Sequence, residues 1–206
     1  MKQLFLIFSL ALSVFNCKEK TLNNKEHADS AYINEVFVVT PKEVSKKDLI
    51  LNQIEGKWYR NDKPYNGYSI KCYPNGNIKE RWGFYKGKRE GVARRWSENG
   101  VLRVESYYHQ NRLVGTYKTW WDNAVLAEES YYVDGTKEGD EKQWYPNGQL
   151  SKLRRLVHGK EEGLQQAWLQ NGKTYVNYEA KNGRIFGMKR ANSCYKLENE
   201  VVVRSE

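Results

Sequence analysis

The stretch Gly-Val-Ala-Arg-Arg-Trp-Ser-Glu-Asn-Gly-Val-Leu-Arg-Val-Glu-Ser-Tyr-Tyr-His-Gln-Asn-Arg-Leu-Val-Gly runs from Gly91 to Gly115. Its two end glycines stand 24 residues apart, and Gly67, Gly139, Gly163 and Gly187 continue the same spacing. Five residues after four of these glycines comes a tryptophan: Trp96, Trp120, Trp144 and Trp168. Cys72 and Asn192 take that place in the first and last units. Next come Asn75-Gly76, Asn99-Gly100, Asn147-Gly148 and Asn171-Gly172, with Asn123-Ala124 in the third unit. Then follow Ile78, Leu102, Leu126, Leu150 and Thr174, and after them Phe84, Tyr108, Tyr132, Leu156 and Ala180. Gly87, Asn111, Gly135, Gly159 and Gly183 close each unit.

Asn-Gly offers two residues that tolerate positive φ, so the pattern predicts a two-residue type I′ turn. Ala124 makes the third unit's turn the weak one, because a Cβ is disfavoured there. Aromatic and β-branched residues flank each turn, so every unit reads as a β-hairpin. The second Gly or Asn turns the chain into the next hairpin. Side chains alternate faces along a strand, so positions 5, 11 and 17 after the unit glycine are expected on one buried face. One hairpin is not stable alone, so the units must share that face. The expected fold is all-β: one elongated antiparallel sheet of tandem 24-residue hairpins, with the tryptophan row as core packing. Gly56–Asp62, with Trp58 lying 24 residues before Trp82, reads as the second half of an earlier unit that caps the array. The tail Glu200–Arg204 reads as a last edge strand.

The runs Tyr73-Pro74-Asn75-Gly76, Tyr145-Pro146-Asn147-Gly148 and Lys86-Gly87-Lys88-Arg89-Glu90-Gly91 resemble MORN repeats, in their bacterial variant form. The resemblance covers residues 56–197. The chain departs from it at Cys72, Ala124 and Asn192. Proteins of that variant family are often labelled antitoxin-like or membrane-associated, and other MORN proteins look like scaffolds for lipid or protein partners. The resemblance therefore implies a scaffold or binding module, with an antitoxin-like partner of another protein as an alternative.

The N-terminus reads as an address. Lys2 precedes an apolar run from Leu4 to Phe15, followed by Asn16 and Cys17. That run is of secretory length and too short to span a bilayer as a helix. It looks like a lipoprotein signal over residues 1–16, with Cys17 the lipidated residue; a plain secretory signal is the alternative, since Asn16 stands where a small residue is wanted. Lipid acylation would anchor the protein to a membrane without spanning it. Residues 17–50 then read as a flexible tether and 51–206 as the repeat domain. The implied location is a bacterial cell envelope.

The 206 residues carry 34 Lys+Arg, 25 Asp+Glu, 7 Trp and 15 Tyr, so the aromatic and basic content asks for an explanation. Hairpin packing accounts for the aromatics without a cofactor. No zinc-type His or Cys spacing, nucleophile elbow or phosphate loop is present, and paired carboxylates such as Glu128-Glu129 fall on opposite strand faces. The sequence therefore points to no enzyme, metal or cofactor. Its charge is better placed: Arg94, Lys118 and Lys142 recur three residues into successive units and form a candidate anion-binding row. An export signal argues against nucleic acid, which leaves a protein partner or anionic lipid head groups, with envelope polysaccharide as a further alternative. Cys72 and Cys194 lie five units apart, too far for a disulfide, and are expected as buried free thiols.

Overall fold

The computed structural model describes residues 37–188, 195–198 and 201–204. After β1 (Glu43–Ser45) and a single 3-10 turn come β2 (Ile50–Asn52), β3 (Lys57–Arg60) and β4 (Lys63–Pro64). The repeats supply β5 (Gly67–Cys72), β6 (Ile78–Tyr85), β7 (Lys88–Trp96), β8 (Leu102–His109), β9 (Arg112–Trp120) and β10 (Leu126–Val133). They continue through β11 (Thr136–Trp144), β12 (Leu150–Val157), β13 (Lys160–Trp168), β14 (Thr174–Lys181) and β15 (Arg184–Met188). Strands β5 to β15 pair in chain order, and β1 joins β5 in parallel to complete a 12-stranded sheet. The expected all-β sheet of consecutive hairpins is what forms. Strand β17 (Val201–Arg204) does not extend it: it pairs with β16 (Tyr195–Glu198) in a separate hairpin.

The turn chemistry is the reverse of the expectation. At Asn99-Gly100, Ser97 N–H donates to the Val101 carbonyl at 2.8 Å and Gly100 N–H to the Ser97 carbonyl at 3.0 Å. This is a three-residue loop, a type I turn closed by a left-handed glycine with φ +81°. Only the glycine of each Asn-Gly pair has positive φ. The asparagine serves by its side chain: Asn75, Asn147 and Asn171 Oδ1 accept from the N–H two residues on at 3.0, 3.0 and 2.9 Å. The two-residue turns sit at the opposite edge. There Lys86-Gly87, Gln110-Asn111, Asp134-Gly135, His158-Gly159 and Asn182-Gly183 all have both residues at positive φ, as type I′ requires. Ala124 does hold φ +61° in the third unit's loop.

The unit glycine is neither turn. Gly91, Gly115 and Gly139 lie inside strands with φ of +70°, +66° and +76°. Along β8 and β9, Glu105 faces Lys118 but Tyr107 faces Val114, so β9 carries two extra residues around Gly115. This is a bulge, and a left-handed glycine allows it. Four unit glycines also face a large residue 17 positions on, Gly67 opposite Phe84, Gly91 opposite Tyr108, Gly115 opposite Tyr132 and Gly139 opposite Leu156, while Gly163 faces the small Ala180.

A second irregularity, between Arg95/Trp96 on β7 and the facing Leu102/Val104, drops one step of alternation. Hence positions 5, 11 and 17 do not share one buried face. Position 17 is buried at Phe84, Leu156 and Ala180. Positions 2 and 15 after the glycine are also buried in several units, at Ser69, Ala93, Glu141 and Gln165, and at Ser106, Ser130 and Tyr178, while Glu90, Ala167 and Leu169 are buried at other places in the repeat. Small residues in this row make room for the large ones beside them, such as Trp82 between Ser69 and Ala93.

Residues 37–50, expected within the tether, are part of the fold. Phe37 packs its ring 4.9 Å from Tyr85 and 5.2 Å from His109. Val44 and Leu49 join Tyr65 and Phe84 in a buried cluster, with Trp58 and Trp82 against it. Trp58 N–H donates to the Gly87 carbonyl at 2.7 Å, and Asn111 Nδ2 to the Gly56 carbonyl at 2.8 Å. The expected second half of an earlier unit does not form: β3 pairs with β2 and β4 in a separate three-stranded sheet, β1 takes the edge beside β5, and Gly56–Asp62 is tied instead to the turns at Gly87 and Asn111.

Candidate binding groove

The Asn-Gly loops of successive units line up along one edge, and side chains tie each to the next. Tyr73 hydroxyl donates to the Trp96 carbonyl, Trp121 Nε1 to the Trp144 carbonyl and Tyr145 hydroxyl to the Trp168 carbonyl, all at 2.9 Å. These donors occupy the same position of their units. Ser97 fills that position in the second unit, and Arg103 Nε instead donates to the Trp120 carbonyl at 2.8 Å. Asn75 and Asn77 reach the Glu98 carbonyl, and Asn123 Nδ2 reaches the Pro146 carbonyl at 2.7 Å. Loops are mobile unless their backbone groups are bonded; here every tie runs to the neighbouring unit, so the edge is rigid.

Behind these loops the sheet surface holds a groove of about 890 Å³. Six aromatic side chains from four units line it: Tyr73, Trp96, Trp120, Trp121, Trp144 and Tyr145. Arg95, Thr119 and Gln143, one residue before each of three tryptophans, add polar groups. Trp96, Trp120 and Trp144 are half-buried. The expectation that the repeated indoles form a sealed core is thereby corrected: the tryptophans packed on the buried cluster are Trp58 and Trp82, and Trp96, Trp120 and Trp144 border open space. Tyr73, Trp121 and Tyr145 were not singled out by sequence reasoning for this surface. The signal was present in their constant place directly after the unit's fifth residue.

Arg94, Lys118 and Lys142 do fall in one row. Strand pairing inserts a carboxylate between them: Arg94 faces Glu105, Glu105 faces Lys118, Lys118 faces Glu129, and Glu129 faces Lys142. Arg94 Nε binds Glu105 at 2.7 Å and Lys118 Nζ binds Glu129 at 3.1 Å. The row is a ladder of alternating sign. Cys72 is a free thiol but an exposed one, against the expected burial; Cys194 and Cys17 lie outside the described residues. His109 Nδ1 lies 3.1 Å from Glu90, and His158 Nδ1 lies 3.7 Å from Glu138. Among the described residues no group of three or more His, Cys, Asp or Glu is placed to hold a metal, and no helix is long and apolar enough to cross a membrane.

The Glu-Gly pair that opens several units also has a structural reason. Glu90, Glu138 and Glu162 accept from the first N–H of the next type I′ turn, at Gln110, His158 and Asn182, at 3.0, 2.7 and 3.2 Å. In the third unit Val114 replaces the glutamate, and Arg112 pairs with Asp134 across the turn instead.

Residues 89–110 and 137–154 match the family model described as the MORN repeat variant. Both stretches begin two residues before a unit glycine, in phase with the observed hairpins. No curated protein matches the chain. Repeats of this kind generally serve as non-catalytic binding modules, and they commonly bind proteins or membrane lipids.

Proposed function

We propose that this protein is a non-catalytic binding module of the cell envelope that holds a protein partner in its aromatic groove. The observation that carries the reading is the convergence of six aromatic side chains from four units on one rigid surface. Aromatic rings with a polar handle are the residues on which binding energy concentrates. A head group seated on Arg94, Lys118 and Lys142 has less support, because Glu105 and Glu129 already match the charge of that row. The envelope location rests on the leader-like segment before Cys17, whose acylation would supply the anchor.

The test uses the full chain, tagged and immobilised, against envelope extract. A partner retained in stoichiometric amount by the native protein should be lost when Trp120→Phe and Trp144→Phe are combined, with the circular dichroism spectrum unchanged. Retention that ignores those changes, together with sedimentation on anionic vesicles that is lost on changing Arg94, Lys118 and Lys142 to Ser, would transfer the function to the charged row.

A further inference from the structure

We infer that the groove takes a proline-rich segment in the polyproline II conformation, laid across the strands with one turn per repeat. The inference rests on the binding-module reading and names the class of partner. It starts from spacing. Trp96, Trp120 and Trp144 end β7, β9 and β11, every second strand of one sheet. Neighbouring strands lie about 4.8 Å apart, so the three indoles recur at about 9.6 Å. A polyproline II helix makes one turn in three residues of about 3.1 Å each, hence about 9.3 Å. Three successive turns therefore meet three equivalent indoles nearly in step.

The second ground is hydrogen bonding. Among the described residues, Nε1 of Trp121 has a partner, the Trp144 carbonyl at 2.9 Å, whereas Nε1 of Trp96, Trp120 and Trp144 bonds to none of them and is not sealed from solvent. An indole N–H seeks an acceptor wherever water is expelled. A polyproline II chain has no internal hydrogen bonds, so its carbonyls are free to accept. Its rings also pack on aromatic faces at little entropic cost, which is how aromatic grooves select such segments. A β-strand is a poorer occupant: it gains its affinity by adding to a sheet edge, and this groove lies on the face.

Charge narrows the occupant further. Of the charged groups lining the groove, Glu80 is paired with Lys46, Glu128 with Lys137 and Arg103 with Asp122, which leaves Lys79, Arg95 and Glu98 and one positive charge in excess. Arg95 is exposed and has no ion pair among the described residues. Lys79 lies 5.0 Å from the Tyr73 ring centroid at the same end. An acidic residue flanking the prolines fits that end.

The test is a titration of the full chain, read by tryptophan fluorescence, with a synthetic peptide of one glutamate and nine prolines. Controls are a glycine-serine peptide of equal length and charge, and phosphatidylglycerol vesicles. The proline peptide should bind saturably and the glycine-serine peptide should not. Trp120→Phe and Trp144→Phe, each keeping one aromatic ring while deleting the indole N–H and its fused ring, should each weaken binding at least about tenfold, the worth of one hydrogen bond. Trp168→Phe, outside the groove, should leave affinity unchanged, and all three should melt near the native temperature. Equal binding of the two peptides, or native affinity in both groove variants, overturns the inference. If the proline peptide fails while an envelope partner still requires Trp120 and Trp144, only the proline assignment falls. If vesicles alone bind, both readings fall together.

Discussion

The first unit and the fourth are built on one backbone plan and sealed in opposite ways. In the first, the inner positions hold Ser69, Trp82 and Phe84; in the fourth, the same positions hold Glu141, Arg154 and Leu156. Around Phe84, which is 0% exposed, pack Val44, Leu49, Tyr65, Trp58 and Trp82. Trp82 is flanked by cations, with Lys46 Nζ 3.7 Å and Arg89 Cζ 4.0 Å from its ring centroid. Around Glu141, 1% exposed, stand charges instead. It binds Lys137, and Arg154 reaches it through Nε at 3.0 Å and Nη2 at 2.7 Å. Lys137 also holds Glu128 at 2.9 Å. An open sheet has no second layer, so whatever covers its inner row must come from the row's neighbours. The N-terminal end has residues 37–50 folded over it and can afford an oily cluster. Among the described residues the middle has only its own long side chains, and paired charges cover the row without leaving an apolar patch for other molecules.

The comparison can be broken first at Phe84. Phe84→Ala should lower stability by about 3–5 kcal/mol, because a fully enclosed ring leaves a cavity. Urea unfolding at neutral pH measures it, and a loss under about 1 kcal/mol would mean the cluster is not a core. Glu141→Ala should cost about 2–3 kcal/mol, the worth of charge-assisted hydrogen bonds left without an acceptor. Replacing Glu141 and Arg154 together by leucine should recover much of that loss, since a buried ion pair adds little net stability over apolar packing. No recovery would show that the pair itself is required.

Acidity should separate the two regions. Burial alone would raise the Glu141 carboxyl, but bonds from Lys137 and Arg154 hold it below the ordinary glutamate value of 4.5. Its contribution is therefore present above about 4.5 and lost as the pH falls below it. Burial opposes the Lys137 charge, yet Glu141 and Glu128 raise its pKa, so its share is intact below 10.5 and fails only in strong base. Burial and the Glu161 bond push Tyr178 up to about 12, which adds a loss between 10 and 12. Hydrogen exchange at pH 3 should open β10–β13 while the cluster at Phe84 stays protected; simultaneous opening would erase the distinction. The smallest effect is expected at Ala124→Gly. Relief of a left-handed alanine should stabilise by about 1 kcal/mol, read as a rise in Tm.

The hairpins were legible because a fixed 24-residue spacing admits few other readings. The turn types were not. Asn-Gly has the chemistry for type I′, but here three residues, Glu98 to Gly100, separate the hydrogen-bonded Ser97 and Val101, and that loop length selects a type I turn with a left-handed glycine. The true type I′ sites include Gln110-Asn111 and Lys86-Gly87, where the first residue carries no strong turn preference of its own. Bulges hid the buried face, since one added residue inverts every later side chain. They hid the site as well. Arg94 and Lys118 form a row in sequence, but the register that brings Glu105 and Glu129 between them depends on the bulge at Gly115. Residues 37–50 lack the repeat and so gave no sign that they cover the first unit.

Beyond the N-terminal cap, the bonds between units are short-range: Gly135 N–H to Leu113, Gly159 N–H to Lys137 and Tyr145 to Trp168 each connect one hairpin to the one beside it. Among the described residues no long-distance seam beyond that cap has to be realigned when a hairpin is copied or excised. A lineage could therefore lengthen or shorten this surface in whole 24-residue steps, and with it the span of whatever lies along the tryptophans.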